Sequence, residues 1–236
     1  MCALAVKQGW RRIVFLSTVG VLDRNADGGP STDETRYRQP FDNYTWSKIE
    51  AEKVILGESE RLQLPSVILR PANVYGPNMS FKWPDVFNLI QSGRMRLIGD
   101  GSVPFGLIHV SDLARAVIAS LEDDLQLAPG ERITIVSPEV LTLREVLAVI
   151  ANKLDAPPVR SLPYGLVLAA AYLISPLPDW LRFGPLKYLK PMQVRELHQG
   201  FLFDPIRAKS RLRFEAQILF YGGIDEALAQ WRTKQP

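Results

Sequence analysis

Short apolar runs alternate with longer amphipathic stretches along this chain. Arg12-Ile13-Val14-Phe15-Leu16, Ser66-Val67-Ile68-Leu69 and Glu131 to Val136 are bounded by polar, Gly or Pro residues, and the first two read as buried strands. Arg94 to Ile98 and Phe105 to Val110 read as two further strands, with Asp100-Gly101 as a turn between them. Helices are predicted where the period lengthens. Asp42-Asn43 is an N-cap signal before a helix that carries Tyr44, Trp83 to Ser92 forms a second, and Ser111 caps a third reaching about Leu121. Leu141 to Leu154 is a fourth, with Thr142 as N-cap and Glu145 at the third helical position, a capping box. Residues 1 to 10 read as the end of a helix leading into the first strand, and the periodicity turns irregular after Pro157-Pro158. Strands alternating with helices predict an α/β fold around a parallel sheet.

Composition narrows the class without choosing a function. With 236 residues, 47% of them hydrophobic and 22% charged, the chain can bury one substantial core and a smaller second lobe. The net charge of +3 is spread among acids instead of forming a basic stripe, which argues against a nucleic-acid partner. Cys2 is solitary, so no intramolecular disulfide forms, and residues 1 to 10 hold no secretory signal pattern; a cytoplasmic location is expected. The apolar stretch Gly165 to Ile174 is shorter than the roughly 20 residues a spanning helix needs. It reads as a buried or lid helix, with peripheral membrane contact as the sharper alternative. The two histidines, His109 and His198, have no metal-ligand spacing, and there is no G-x-S-x-G elbow, so neither a metal site nor a serine hydrolase is expected.

The chemistry concentrates at Tyr44-Thr45-Trp46-Ser47-Lys48. A tyrosine and a lysine four apart on a helix share a face, so the ammonium can approach the phenol. A free phenol titrates near 10, and a cation about 4 Å away at an effective dielectric of about 20 supplies the roughly 4 kcal/mol needed to make it a base near neutrality. Ser17-Thr18 stands at the C-terminal end of the first strand, where ligands bind in open α/β sheets.

Four segments together resemble the extended short-chain dehydrogenase/reductases, the NAD-dependent epimerase/dehydratases: Leu16-Ser17-Thr18-Val19-Gly20-Val21, Tyr44-x-x-x-Lys48, Leu69 to Pro77 (LRPANVYGP) and Ile108 to Ala114 (IHVSDLA). The resemblance is clear over about residues 1 to 155. It implies a partial, doubly wound Rossmann-like sheet with a smaller C-terminal substrate lobe. Residues 1–78, with returning elements from 105–155, would form the nucleotide-binding part; 79–104 and 156–236 would form the substrate lobe. The family's G-x-x-G-x-x-G turn, which receives the pyrophosphate, has no counterpart in this sequence; Gly99-Asp100-Gly101 with Gly106 has the wrong spacing. By that analogy the first four strands are absent, and the Ile13 strand lacks a neighbour.

The same resemblance implies NAD or NADP as cofactor and hydride transfer at a hydroxyl or carbonyl carbon of a small molecule. Tyr44 would be the acid/base, and Lys48 would lower its pKa and bind the nicotinamide ribose. Thr18 would hydrogen-bond the substrate oxygen, with Ser17 as the fallback for that role and a cofactor contact. Pro71 and Ala72 would lie beside the nicotinamide carboxamide, and Asn73 would reach substrate or cofactor. His109 and Asp112 match a structural signature. Nucleotide-sugar epimerases often carry an arginine where this chain has Phe105, which turns the expectation toward a less charged, steroid-like or isoprenoid-like compound. A homodimer through a helix pair is common in the family. Two alternatives stay open: a truncated or non-catalytic member acting in binding or assembly, and a nucleotide-sugar epimerase or dehydratase.

Overall fold

A computed structural model describes residues 2–25, 28–79, 83–177 and 190–234. They form two compact units, one of residues 1–78, 106–139 and 202–230, the other of residues 79–105, 140–201 and 231–236.

The first unit is built on a three-stranded parallel sheet of β1 (Ile13–Leu16), β2 (Ser66–Pro71) and β6 (Glu131–Ile135), in the order β1-β2-β6. Register runs Ile13 to Ser66 and Val67 to Glu131. β2 is buried along its whole length, as a central parallel strand should be, and removing Val67, Ile68 and Leu69 from water contributes about 1.5–3 kcal/mol each. β1 departs from the buried strand that its composition predicts. It is an edge of the described sheet, its first three residues are half-buried, and Leu16 is 42% exposed. Arg12 fixes its start by donating to the carbonyls of Ser120, Glu122 and Leu125 at 2.7, 2.9 and 3.2 Å.

Helix α1 (Cys2–Lys7) packs on α2 (Asn43–Leu62), which Asp42 caps by accepting from the Thr45 amide at 2.7 Å. Gln63 ends α2 in the left-handed conformation. A short strand that the sequence had hidden, β3 (Asn73–Tyr75), pairs in parallel with β5 (Leu107–His109). Three residues are too few for an alternation to register, and Tyr75-Gly76-Pro77 reads as a turn. Helix α4 (Val110–Ala119) is capped two residues earlier than Ser111: the His109 ring accepts from the Ser111 amide through Nδ1 at 3.2 Å. Asp112 then accepts from the amides of Gln217 and Ile218 at 3.0 and 2.9 Å, holding the chain between α8 (Ile206–Leu212) and α9 (Phe220–Thr233).

The second unit contains α3 (Trp83–Gln91), the parallel pair β4 (Arg96–Ile98) and β7 (Arg160–Leu162), α5 (Leu143–Lys153), α6 (Tyr164–Ile174) and α7 (Pro191–Gln199). The capping box of α5 is formed as expected, with Glu145 returning to the Thr142 amide at 2.7 Å. Residues 140–155 group with this unit because α5 packs on α3, and 202–230 group with the first because α8 packs on β6. Both assignments differ from the division the sequence suggests. The apolar stretch on α6 also differs from a buried helix, since Ala171 is its one buried residue.

Candidate active site

The predicted residues converge at the C-terminal ends of β1 and β2. Lys48 and Tyr44 lie one turn apart on α2, and the Lys48 ammonium donates to the carbonyl of Leu16, the last residue of β1, at 2.9 Å. This bond ties α2 to the strand end that precedes Ser17-Thr18. The ammonium stands 5.9 Å from the centre of the Tyr44 ring and 5.2 Å from that of Phe15. Tyr44 itself is 56% exposed, open to a small molecule arriving from solvent.

Thr18 caps the short 3-10 turn Val19–Val21, its Oγ1 accepting from the Gly20 amide at 3.1 Å. Because the oxygen accepts there, its own proton remains to be donated elsewhere. Ser17 is buried, its amide donates to Leu69 at 2.8 Å, and its hydroxyl has no hydrogen-bond partner. A buried hydroxyl without a partner costs about 1–3 kcal/mol.

On the neighbouring strand end, Pro71 has no amide hydrogen and the Ala72 amide donates to Ile135 at 2.9 Å. A cofactor carboxamide therefore finds no free backbone donor at these two residues. Asn73 is exposed, and its side-chain nitrogen donates to Gly106 at 2.9 Å, so its amide oxygen is the atom it can offer. His109 stays outside this group. It is buried among Tyr75, Val110 and Gly76, where a Cβ at Gly76 would fall 2.9 Å from its Nε2; φ of +128° there also suits glycine.

A residue pair that sequence reading passed over lies directly behind the site. Glu52, one turn beyond Lys48, and Arg70, just before Pro71, are both fully buried and joined by two bonds of 3.0 and 2.6 Å. Tyr37 donates to the same carboxylate at 2.8 Å, and Arg70 also donates to the Asp33 carbonyl at 3.0 Å. The available signal was an arginine at the end of an otherwise apolar strand, which requires a buried acid. Asp33 accepts from the Thr134 hydroxyl at 2.6 Å, and burial pushes its carboxyl above the usual carboxylate range despite that bond and the nearby arginines. A separate cavity of about 260 Å³, lined by Val136, Pro138, Phe214 and neighbours, contains none of the predicted site residues.

A parallel sheet with a Tyr/Lys helix and hydroxyl side chains at its strand ends defines an α/β protein of Rossmann-like architecture. The model of the NAD dependent epimerase/dehydratase family matches residues 1–135, and the chain belongs to that family. It is 25% identical over 238 residues to 3beta-hydroxysteroid-dehydrogenase/decarboxylase isoform 1 of Arabidopsis thaliana, covering 94% of this chain and 54% of the relative. It is 30% identical over 157 residues to 2-alkyl-3-oxoalkanoate reductase of Stenotrophomonas maltophilia, covering 63% of this chain and 46% of the relative. The chain thus spans about half the length of these curated relatives. Among solved structures, dTDP-glucose 4,6-dehydratase from Bacillus anthracis, in complex with NAD, superposes with a TM-score of 0.71 at 20% identity, covering 99% of this chain and 66% of that one. That likeness establishes the shared fold.

Proposed function

We propose that this chain carries the proton-transfer half of an NAD(P)-dependent oxidoreductase acting on an apolar hydroxyl or carbonyl compound. The observation that carries the reading is the Lys48 ammonium held on the Leu16 carbonyl at 2.9 Å, beside Tyr44 and immediately before Ser17-Thr18. When bound, the nicotinamide supplies or takes the hydride. The residues suited to hold its ribose end are Lys48, Tyr44 and the unpartnered Ser17 hydroxyl.

The chain's own part concerns one oxygen. Tyr44 gives its phenolic proton to a substrate carbonyl as that oxygen gains charge, or takes the proton from a hydroxyl in the reverse direction. Thr18, whose Oγ1 already accepts from Gly20, donates to the same oxygen and fixes its direction. Lys48 keeps a positive charge near the ring, so that the phenolate left after proton transfer is stabilised. Asn73 orients the remainder of the substrate through its amide oxygen. The cofactor is NAD or NADP.

Two relatives name substrates without a nucleotide, a 3beta-hydroxysteroid and a 2-alkyl-3-oxoalkanoate, the second an alkyl chain ending in a carboxylate. Phe105, where an arginine would grip a diphosphate, supports the same class over nucleotide sugars. The alternative is a non-catalytic binding protein of the same fold. Turnover of steroid and 3-oxoalkanoate substrates by the purified protein, followed by nicotinamide absorbance, separates the two. Tyr44→Phe is expected to abolish turnover and leave cofactor affinity nearly intact. Wild-type rates in that variant would sink the assignment.

A further inference from the structure

The solvent-facing half of α6 has no charged side chain. Gly165, Leu166, Ala169, Tyr172 and Leu173 occupy it, with Leu166 69% and Leu173 78% exposed. The opposite half rests on α7, as expected for a helix that is apolar all round, yet here one side remains uncovered. Leu162, at the end of β7, extends the same apolar surface and is 41% exposed. A contiguous patch of this kind marks an interaction surface rather than scattered surface leucines.

Its borders are mainly basic, with Glu196 of α7 as an acid beside Arg195. Arg96 and Arg160 are partners in the β4–β7 register, so the two side chains start from the same face, two residues before Ile98 and Leu162, and the Arg96 guanidinium also donates to the carbonyls of Gly93 and Met95 at 2.8 and 2.7 Å. Both arginines are exposed. At the other border Arg195 of α7 donates to the Tyr172 hydroxyl at 2.6 Å and lies 5.8 Å from that ring's centre. No acidic residue occurs between Asp85 and Asp100, or between Asp155 and Asp179. Like charges placed together at a strand pair are unfavourable unless an anion sits against them.

We propose that this face docks on an anionic phospholipid membrane, with the leucines of α6 in the acyl boundary and the arginines among the headgroup phosphates. The helix has 11 residues and is about 16 Å long, about half the hydrocarbon thickness, so it lies in the plane of the interface. Tyrosine and arginine at the border suit the level of the headgroups, one end apolar and the other wet. A second copy of the chain fits worse: a two-fold contact through the same patch turns each cationic border toward its own copy. The proposal does not depend on the enzymatic reading.

The test is flotation of the purified chain with vesicles of phosphatidylcholine alone, or with phosphatidylserine added, at low and high salt. Binding is expected to the anionic vesicles and to weaken with salt. Leu166→Ser/Leu173→Ser is expected to lower partitioning at least about tenfold. Arg96→Gln/Arg160→Gln is expected to remove most of the difference between the two vesicle types. The mutated leucines are largely solvated, and an unchanged thermal transition in each variant shows that the fold is kept. Absence of binding to anionic vesicles, or equal binding by the wild type and the leucine variant, overturns the proposal. So does a lipid-indifferent wild type that light scattering finds dimeric and the leucine variant monomeric, which would assign the patch to a second copy.

Discussion

Single side chains account for how this site is held. The Glu52–Arg70 pair fastens the helix of Tyr44 and Lys48 to the strand that ends in Pro71, and both groups are removed from water. Arg70→Met leaves Glu52 charged and buried with Tyr37 as its remaining donor, and is expected to cost about 3–5 kcal/mol in a urea titration. Glu52→Leu/Arg70→Met removes both charges and should recover most of that loss; a double variant as unstable as the single one would refute the account. Asp33 supplies a pH signature. Its folded-state carboxyl is raised by burial, so the folded protein keeps a proton that the unfolded chain has released. Its stabilising contribution is therefore present at acid pH and is lost as pH climbs above about 4 through the folded value. Asp33→Asn, which keeps an acceptor for Thr134, should gain stability relative to wild type across that rise, read as urea midpoints at successive pH values. Parallel pH profiles for the two proteins would rule this out.

Elements show what local pattern can and cannot announce. The capping box of α5 was legible because Thr142 and Glu145 satisfy each other within four residues. Thr142→Ala should cost about 1 kcal/mol and leave the rest of the structure unchanged, measured by thermal unfolding. The Tyr44–Lys48 face was legible for the same local reason, as were Asp42 as a cap and the apolar run of β2. β3 was not, since its identity comes from pairing with β5, over thirty residues later. The cap of α4 was placed at Ser111 because a histidine ring acting as acceptor has no propensity signal, while serine does. The uncovered side of α6 escaped for a different reason. Hydropathy says that a helix is apolar, and only its neighbours decide which half is covered.

At the scale of the whole molecule, the family and the parallel sheet were readable from four short segments, whereas the grouping of 140–155 and 202–230 depended on packing across long sequence distances. Cofactor affinity belongs to this scale as well. Lys48, Tyr44 and Ser17 are proposed to hold the ribose end, but the sequence contains no G-x-x-G-x-x-G turn to receive a pyrophosphate. These 236 residues alone are therefore expected to bind NAD(H) and NADP(H) no more tightly than the millimolar range, by calorimetry, about −4 kcal/mol. Stoichiometric micromolar binding would contradict this. The register of the central sheet has one further consequence. Ile13 finds its partner at Ser66, and Val67 finds its partner at Glu131, so β1 and β2 can pair once residue 71 has been made, but the three-stranded sheet is complete only after residue 135. Loop closure over such spans is slow, and the folding rate should fall toward the millisecond-to-second range of non-local topologies. During synthesis β1 stays without its strand partner until Ser66 has been made, with Phe15 uncovered in the interval.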